Sequence, residues 1–161
     1  IVIKIVQYFA VMNRKAIIDE IVSAMNIDIK EQFTTIHNYI DIENMILRKG
    51  AISAHKGERV LIPINMRDGS LICIGKGNKD WNYSAPHGAG RLMSRRQAKE
   101  SITLEEFQKT MEGIYSSTVN RSTLDECALA YKPMDEIIRN IKDAVEIIHI
   151  IEPIYNFKAA E

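Results

Sequence analysis

The chain has 161 residues, of which 46% are hydrophobic, a composition typical of a folded domain with its own core and not of a disordered segment. Its 21 Lys and Arg residues are balanced by 21 Asp and Glu residues, so no overall basic charge attracts nucleic acid, and any RNA contact requires a local cluster of cations. The two cysteines are far apart and give no disulfide framework, and no apolar run approaches the roughly 18 residues of a membrane helix. We therefore expect a cytoplasmic protein that does not associate with a membrane.

The first forty residues predict mainly helix. After a short β-like start at residues 1–6, apolar side chains recur with a period near 3.6 over residues 8–25, which predicts an amphipathic helix. A second, shorter helix is predicted around residues 30–39. The chain begins with Ile1 and not with Met, and we interpret it as a piece of a longer protein.

The centre and the carboxyl-terminal part predict alternating strands and helices. Residues 48–74 carry Ile, Val and Leu separated by glycine-containing turns, which favours a β-rich centre, and a polar loop over residues 75–86 follows. Thr103 and Glu106 have the spacing of a capping box, and a helix over residues 133–147 precedes a β-like run at 148–157. These elements predict a single α+β domain over residues 1–161.

The segment around His87 carries the most chemical information. Glycines permit positive φ and close approach to an anion, so residues 88–90 can form a concave set of amide donors for phosphate oxygens. If a helix begins here, Arg91 and Arg95, four residues apart, lie on one face near the positive end of its dipole. A neutral ring nitrogen of His87 could then attack a nucleotide α-phosphate. The competing interpretation is a loop histidine bonded to a backbone carbonyl.

His37 is a weaker candidate for a metal ligand. A metal site needs three or four ligands, and no HxxE, HxH or Cys–His pairing in this sequence completes one around it. If His37 binds a metal ion, its partner ligands lie elsewhere.

Several short segments, in the same order, resemble the carboxyl-terminal part of the RtcB family of RNA ligases. The most specific is the run Ser-Ala-Pro-His-Gly-Ala-Gly-Arg-Leu-Met-Ser-Arg over residues 84–95. The others are His37-Asn38, Arg48-Lys49-Gly50-Ala51, Glu126 with Ala130-Tyr131-Lys132, and Pro153-Ile154-Tyr155-Asn156-Phe157-Lys158. The resemblance covers nearly the whole chain.

The resemblance implies an α+β fold with a mixed β-sheet core and flanking helices. It also implies an enzyme of tRNA splicing or RNA repair that uses GTP and Mn²⁺ to join an RNA 3′-phosphate or 2′,3′-cyclic phosphate end to a 5′-hydroxyl end. His87 matches the histidine that receives GMP, which then passes to the RNA 3′-phosphate, and His37 matches a manganese ligand. Arg91 and Arg95 would face phosphates of GTP or RNA. The residues implied to bind the nucleotide are Asn65, Ser70, Ala89, Gly90, Tyr131 and Lys158. An archease-type helper protein is a further partner of such ligases.

Two departures from the family pattern are visible. Many members carry Pro-Gly-Ser-Met-Gly where this chain has Pro-Ile-Asn-Met-Arg-Asp-Gly over residues 63–69. The family's amino-terminal Asp, Cys and two further His metal ligands are absent from this sequence, so the fragment alone is expected to be inactive. Two other functions stay open: a guanine-nucleotide or RNA-binding module without catalysis, and a metal-dependent phosphoesterase in which His37 and His87 both bind metal.

Overall fold

The computed structural model describes residues 2–158 and contains both helices and short sheets, in keeping with an α+β protein. The α-helices are α1 (Val2–Met25), α2 (Arg95–Ser101), α3 (Leu104–Thr110) and α4 (Met134–Asn140). Short 3₁₀ helices span Lys79–Trp81, Arg121–Glu126 and Ala128–Ala130. The strands are β1 (Ile40–Asp41), β2 (Ile46–Leu47), β3 (Ala51–Ser53), β4 (Arg59–Asn65), β5 (Gly69–Gly75), β6 (Ser84–Pro86), β7 (Tyr115–Ser116), β8 (Val145–Ile151) and β9 (Tyr155–Asn156).

The central sheet has the order β4-β5-β8 and is antiparallel throughout. Alternate residues of β4 and β5, such as Val60, Ile62 and Leu71, are fully buried, because side chains two residues apart share one face of a strand. This confirms the β-rich centre. The strands β4 and β5 join in a tight turn in which the Asn65 side chain accepts bonds from the amides of Arg67 and Asp68.

The remaining strands form three separate pairs. β1 pairs with β2 and β3 with β6, both antiparallel, while β7 and β9 are parallel. In the described part of the chain, the expected mixed β-sheet core is therefore replaced by small sheets that are each uniform in direction. The β3–β6 pair matters most for the site, because it fixes the strand that leads directly into His87.

Two clusters of buried side chains stabilise the fold. The first lies between the central sheet and α4, which contributes Ile137 and is followed by Ile141. The second surrounds Phe107 of α3. The predicted capping box is confirmed at the start of α3: the Thr103 hydroxyl accepts from the Glu106 amide, and the Glu106 carboxylate accepts from the Thr103 amide.

The predicted helix over residues 8–25 is confirmed, but α1 is longer, and the apolar face predicted for it is not buried, because Phe9, Ile17 and Ile21 are exposed. The helix already begins at Val2, so the expected β-like start is wrong. No glycine or proline separates the first six residues from the helix, and extending an existing helix costs less than starting a new element. One face of α1, with Gln7, Val11 and Arg14, is partly covered, and none of its residues is fully buried.

Two other predicted helices differ from the structure. Residues 30–39 are irregular, and His37 forms an isolated bridge with Ile52. The β-branched run at residues 34–36 disfavours helix at this point. The helix predicted over 133–147 ends at Asn140, because residues from Val145 onwards pair with β5. Among residues 2–158, no helix has the length and apolarity that crossing a bilayer would require.

Candidate functional site

A cavity of about 680 Å³ lies beside the β4–β5 turn, the segment following β6, and the end of the described chain. Its lining includes eight of the ten residues selected from the sequence: Asn65, Ser70, His87, Ala89, Gly90, Arg91, Tyr131 and Lys158. Arg95 and His37 are not part of this lining. Residues separated by more than ninety positions in the sequence are thus gathered around one space, whose size is in the range of small-molecule sites, about 300–1,000 Å³.

His87 is positioned by the end of the β3–β6 ladder. Pro86 is paired with Ala51, and the His87 amide donates to the Gly50 carbonyl at 3.3 Å. The side chain is half-buried, and its ring lies edge-on to the ring of His37 with 5.7 Å between centroids. The backbone of His87 is therefore held by pairing with the segment at the start of β3, and His87 lines the cavity.

The glycine turn after His87 only partly matches the expected set of amide donors. Gly90 has a φ of +75°, which suits glycine, and an added Cβ there would meet no atom within 4 Å. The Ala89 amide, however, donates to the Pro63 carbonyl at 3.1 Å. Residues 88–90 therefore cannot present all three amides to an anion, because one of them is already used to attach the turn to β4.

Arg91 and Arg95 converge, but not through a shared helix. α2 begins at Arg95 with Ser94 as its cap, so the condition of a helix that contains both arginines is not met. Arg91 instead forms an isolated bridge with Tyr131. The two guanidinium groups meet at Glu126, with nitrogen–oxygen distances of 3.0 Å from Arg91 and 2.8 Å from Arg95.

These contacts belong to a larger group that we call the basic cluster. It consists of the cations Arg91, Arg95, Lys99 and Lys158 around the carboxylates of Asp125 and Glu126. Lys99 lies 3.4 Å from Asp125, and Lys158 lies 3.4 Å from Glu126. Four cations around two carboxylates give this group an excess of positive charge on the cavity side, which favours an anionic ligand.

Both carboxylates of the basic cluster are held ionised. Burial opposes the ionisation of Glu126, but the hydrogen bond from Tyr131 and the charges of Lys158 and Arg91 outweigh it, so its pKa lies below the ordinary value. Burial likewise opposes the ionisation of Asp125, and the hydrogen bond from Arg95 and the charge of Lys99 lower its pKa. Asp125 and Glu126 therefore remain negatively charged at neutral pH and balance part of the positive charge of the surrounding cations.

Tyr131 connects the basic cluster to the cavity. Its hydroxyl donates to Glu126 at 2.9 Å and accepts from Arg91 at 2.8 Å, while the Arg91 guanidinium also lies 4.6 Å from the ring centroid. Burial and the neighbouring Glu126 carboxylate raise the pKa of Tyr131 to about 12. Tyr131 is therefore a neutral hydrogen-bonding group with an aromatic face.

His37 lies next to His87 but is not part of the cavity lining. Its Nε2 lies 3.3 Å from the Thr35 hydroxyl. Burial, the adjacent His87 and the nearby Arg14 lower the pKa of His37, which favours the neutral imidazole that metal ions require. Within residues 2–158, no group of three or more His, Cys, Asp or Glu side chains is placed to hold a metal ion.

Sequence analysis missed Asp125, which is nearly fully buried and bound to cations of α2. Two adjacent acidic residues are a weak signal, because such pairs usually lie in solvent. It also missed the role of Pro63, whose carbonyl holds the glycine turn. Neither contact is recognisable from local sequence, since both join segments more than 25 residues apart.

The fold and the site together define an α+β protein with a histidine in a cleft that is flanked by cations. The chain belongs to the RtcB family: the family model described as tRNA-splicing ligase RtcB matches residues 2–159.

Individual relatives agree with this assignment. The RNA-splicing ligase RtcB of Escherichia coli K12 is 32% identical over 165 residues, an alignment that covers 92% of this chain and 40% of that protein. The tRNA-splicing ligase RtcB of Aeropyrum pernix is 44% identical over 86 residues, covering 50% of this chain and 18% of the relative. The RNA-splicing ligase RtcB of Mycobacterium tuberculosis is 34% identical over 85 residues, covering 51% and 20%. The chain thus spans about two fifths of the length of the Escherichia coli protein.

Proposed function

We propose that the intact protein is a GTP- and Mn²⁺-dependent RNA ligase that joins RNA 3′-phosphate or 2′,3′-cyclic phosphate ends to 5′-hydroxyl ends. The observation that carries the proposal is that His87 faces a cavity lined by Asn65, Ser70, Ala89, Gly90, Arg91, Tyr131 and Lys158. Membership of the RtcB family supports the same reaction class. Its proposed substrates are broken RNA or tRNA halves, and its proposed helper is an archease-type protein.

The chemistry assigned to His87 is nucleophilic. An unprotonated ring nitrogen forms a bond to the α-phosphorus of GTP while the bond to the β-phosphate oxygen breaks, which releases pyrophosphate. An oxygen of the RNA 3′-phosphate then displaces the imidazole from that phosphorus. Finally the 5′-hydroxyl oxygen attacks the RNA phosphorus, its proton is lost, and GMP leaves as the new phosphodiester forms.

The basic cluster and Tyr131 supply the electrostatic environment for these steps. Arg91 and Lys158 line the cavity. Their positive charge stabilises the negative charge that develops on the phosphate oxygens during the transfer. Tyr131 offers an aromatic face against which a guanine base can pack. Asn65 and Ser70 add polar groups at the β4–β5 turn. Arg95 acts from behind the lining, by bonding the same Glu126 carboxylate as Arg91.

His37 is proposed as one ligand of the Mn²⁺ ions, which would polarise phosphate oxygens. Its neutral imidazole suits this role, but the described residues do not complete a metal site. The remaining ligands are proposed to come from residues outside the described range 2–158. A polypeptide limited to these 161 residues is therefore expected to be inactive, and the reaction must be tested in the longer protein.

The decisive experiment is covalent labelling of the intact protein with GTP that is radioactive at the α-phosphate. We expect label on the wild-type protein and none on His87→Ala, whereas His149→Ala, which changes an exposed histidine of β8, keeps the label. The adduct should be labile in acid and stable in alkali, as a phosphoramidate is. Label retained on His87→Ala contradicts the assignment.

The same experiment separates the two other functions. A phosphoesterase that uses His37 and His87 as metal ligands forms no protein-bound nucleotide, and neither does a binding module without catalysis. Release of inorganic phosphate from RNA ends without any labelled protein would favour the phosphoesterase. Retention of GTP on a filter without label or turnover would favour the binding module.

A further inference from the structure

A second, smaller groove of about 290 Å³ opens beside the catalytic cavity, and we call it the Trp81 groove. Its lining includes Leu47, Lys49, Gly50, Trp81 and Pro86. Gly50 and Pro86 help to position His87, but Leu47, Lys49 and Trp81 have been given no role so far. The groove combines an aromatic ring, an aliphatic side chain and a cation in a concave surface.

Trp81 is fixed in place and half exposed. It ends the 3₁₀ helix Lys79–Trp81, which is capped by the Asn78 side chain and closed by Asn82 in the left-handed conformation. Asn78 also donates to the Asp143 carbonyl at 3.1 Å, which attaches this short helix to the segment before β8. With 46% of its surface exposed, Trp81 presents a large flat ring that needs little further ordering to bind a ligand.

The charge on the groove is positive. The Arg48 guanidinium is buried and satisfied, because it bonds Asp41, Tyr39 and Ser84. The neighbouring Lys49 is exposed, and its ammonium group has no hydrogen bond or ion pair with another residue in the range 2–158. A ligand with a flat ring and a negative charge is complementary to this combination.

The Trp81 groove and the cavity are lined by residues that are neighbours in the chain. Gly50 and Pro86 line the groove, and His87, which follows Pro86, lines the cavity. The His87 amide donates to the Gly50 carbonyl, so the backbone also connects the linings of the two spaces. A chain molecule bound with its end at His87 is therefore close to the residues that line the Trp81 groove.

We propose that the Trp81 groove holds single-stranded RNA, with one nucleobase near the reacting end stacked on the Trp81 ring. The inference rests on the proposed function, since it assumes that an RNA end lies at His87. Stacking is tolerant of base identity, because every nucleobase has an aromatic face, and it requires an unpaired base. Trp81 would thereby let the enzyme take hold of any broken end that has a few free nucleotides.

The test uses the fluorescence of Trp81, the one tryptophan of this sequence, in the intact protein. The signal of Trp81 is isolated as the difference between the wild-type protein and Trp81→Phe. We expect a short RNA with a 3′-phosphate to quench this signal, and an abasic nucleotide at one position near that end to remove the quenching. An RNA duplex with a blunt end should quench it much less.

Binding of the same RNA is measured in parallel. We expect Trp81→Leu to weaken binding by about 5- to 150-fold, the range for losing one stacked base, and Trp81→Phe to weaken it less. The matched control is Tyr115→Leu, which removes an exposed aromatic ring from β7, outside both cavities, and should leave binding unchanged.

The outcomes separate this inference from the proposed function. Labelling of His87 by GTP does not require Trp81, so it should stay normal in Trp81→Leu. If Trp81→Leu is labelled normally and binds RNA as tightly as the wild type, the proposal that the Trp81 groove binds RNA is overturned and the ligase proposal stays intact. The same holds if RNA does not alter the Trp81 signal. A Trp81 signal already shielded from acrylamide without RNA also overturns the groove proposal, because another part of the protein then covers the ring. If the wild-type protein is not labelled by GTP, the ligase proposal is overturned instead.

Discussion

Asp125→Asn removes one negative charge from the basic cluster while nearly preserving the shape of the side chain. Asp125 accepts a hydrogen bond from Arg95 at 2.6 Å and lies 3.4 Å from the Lys99 ammonium group, and its side chain is only 4% exposed. In the variant these cations lose their counter-charge, and the new amide nitrogen cannot accept a hydrogen bond. We therefore expect a less stable protein.

The exposure of the partners sets the size of the effect. Removing one member of a fully buried ion pair costs about 3–5 kcal/mol, whereas an exposed pair contributes less than about 1 kcal/mol. Asp125 resembles the first case, but the side chains of Arg95 and Lys99 are 51% and 39% exposed, so water recovers part of the loss. We expect the free energy of unfolding to fall by about 2 kcal/mol, with Tm lower by about 4–8 °C.

Urea denaturation followed by circular dichroism measures this difference. The control is Glu100→Gln, which makes the same chemical change in the Arg96–Glu100 pair on the surface of α2, where the side chains are 87% and 62% exposed. That variant should lose no more than about 0.5 kcal/mol. Equal losses in both variants would refute the argument that burial determines the contribution of Asp125.

The pH dependence gives a second check on the same residue. Because the pKa of Asp125 is lowered in the folded protein, its carboxylate stabilises the fold above its ordinary value of 3.8. That contribution is lost as the pH falls through the lower folded value. The stability difference between wild type and Asp125→Asn should thus be largest near neutral pH and shrink below about pH 4. A difference that stays constant into acid would show that the charge of Asp125 is not its cause.

Three further predictions concern other parts of the fold. Tyr131→Phe removes the hydroxyl that donates to Glu126, so unfolding in urea should cost about 1–2 kcal/mol less, and the pKa of Glu126, followed by NMR titration, should rise. An unchanged Glu126 titration would contradict this. Gly69→Ala places a Cβ 1.9 Å from the Ile151 carbonyl oxygen of β8, at a φ of +78°. At Gly113, φ is +84° but an added Cβ meets no atom within 4 Å, so Tm should fall far more in Gly69→Ala than in Gly113→Ala. Similar losses of Tm in the two variants would mean that φ alone matters. Thr103→Ala removes the cap of α3 and should cost about 0.5–2 kcal/mol in urea denaturation, and a stability equal to wild type would show that the cap contributes nothing.

Part of the candidate site could be predicted from the sequence, because one motif is long and chemically unusual. His87, the small residues after it and Arg91 form a continuous run, and they all line the same cavity. Asn65 and Lys158 were selected only through resemblance to the RtcB family. Nothing in their local sequence distinguishes them from ordinary surface residues.

The roles within that run could not be predicted from sequence. Whether the Ala89 amide is available to a phosphate depends on the Pro63 carbonyl, 26 positions earlier in the sequence, which already accepts its hydrogen bond. Whether Arg91 faces solvent, phosphate or carboxylate depends on Glu126, which reaches it from another segment. Spacing along the chain carries no information about such partners.

Features that depend on local interactions follow from the amino-acid sequence alone. The capping box of Thr103, the alternation of buried residues along β4 and the Asn65 turn each depend on neighbours within a few positions. Tertiary structure decided the rest: where α4 gives way to β8, which amides remain for a ligand, and which cations share a carboxylate. These outcomes depend on competition between distant partners for hydrogen bonds and burial, and that competition is settled only when the chain is folded.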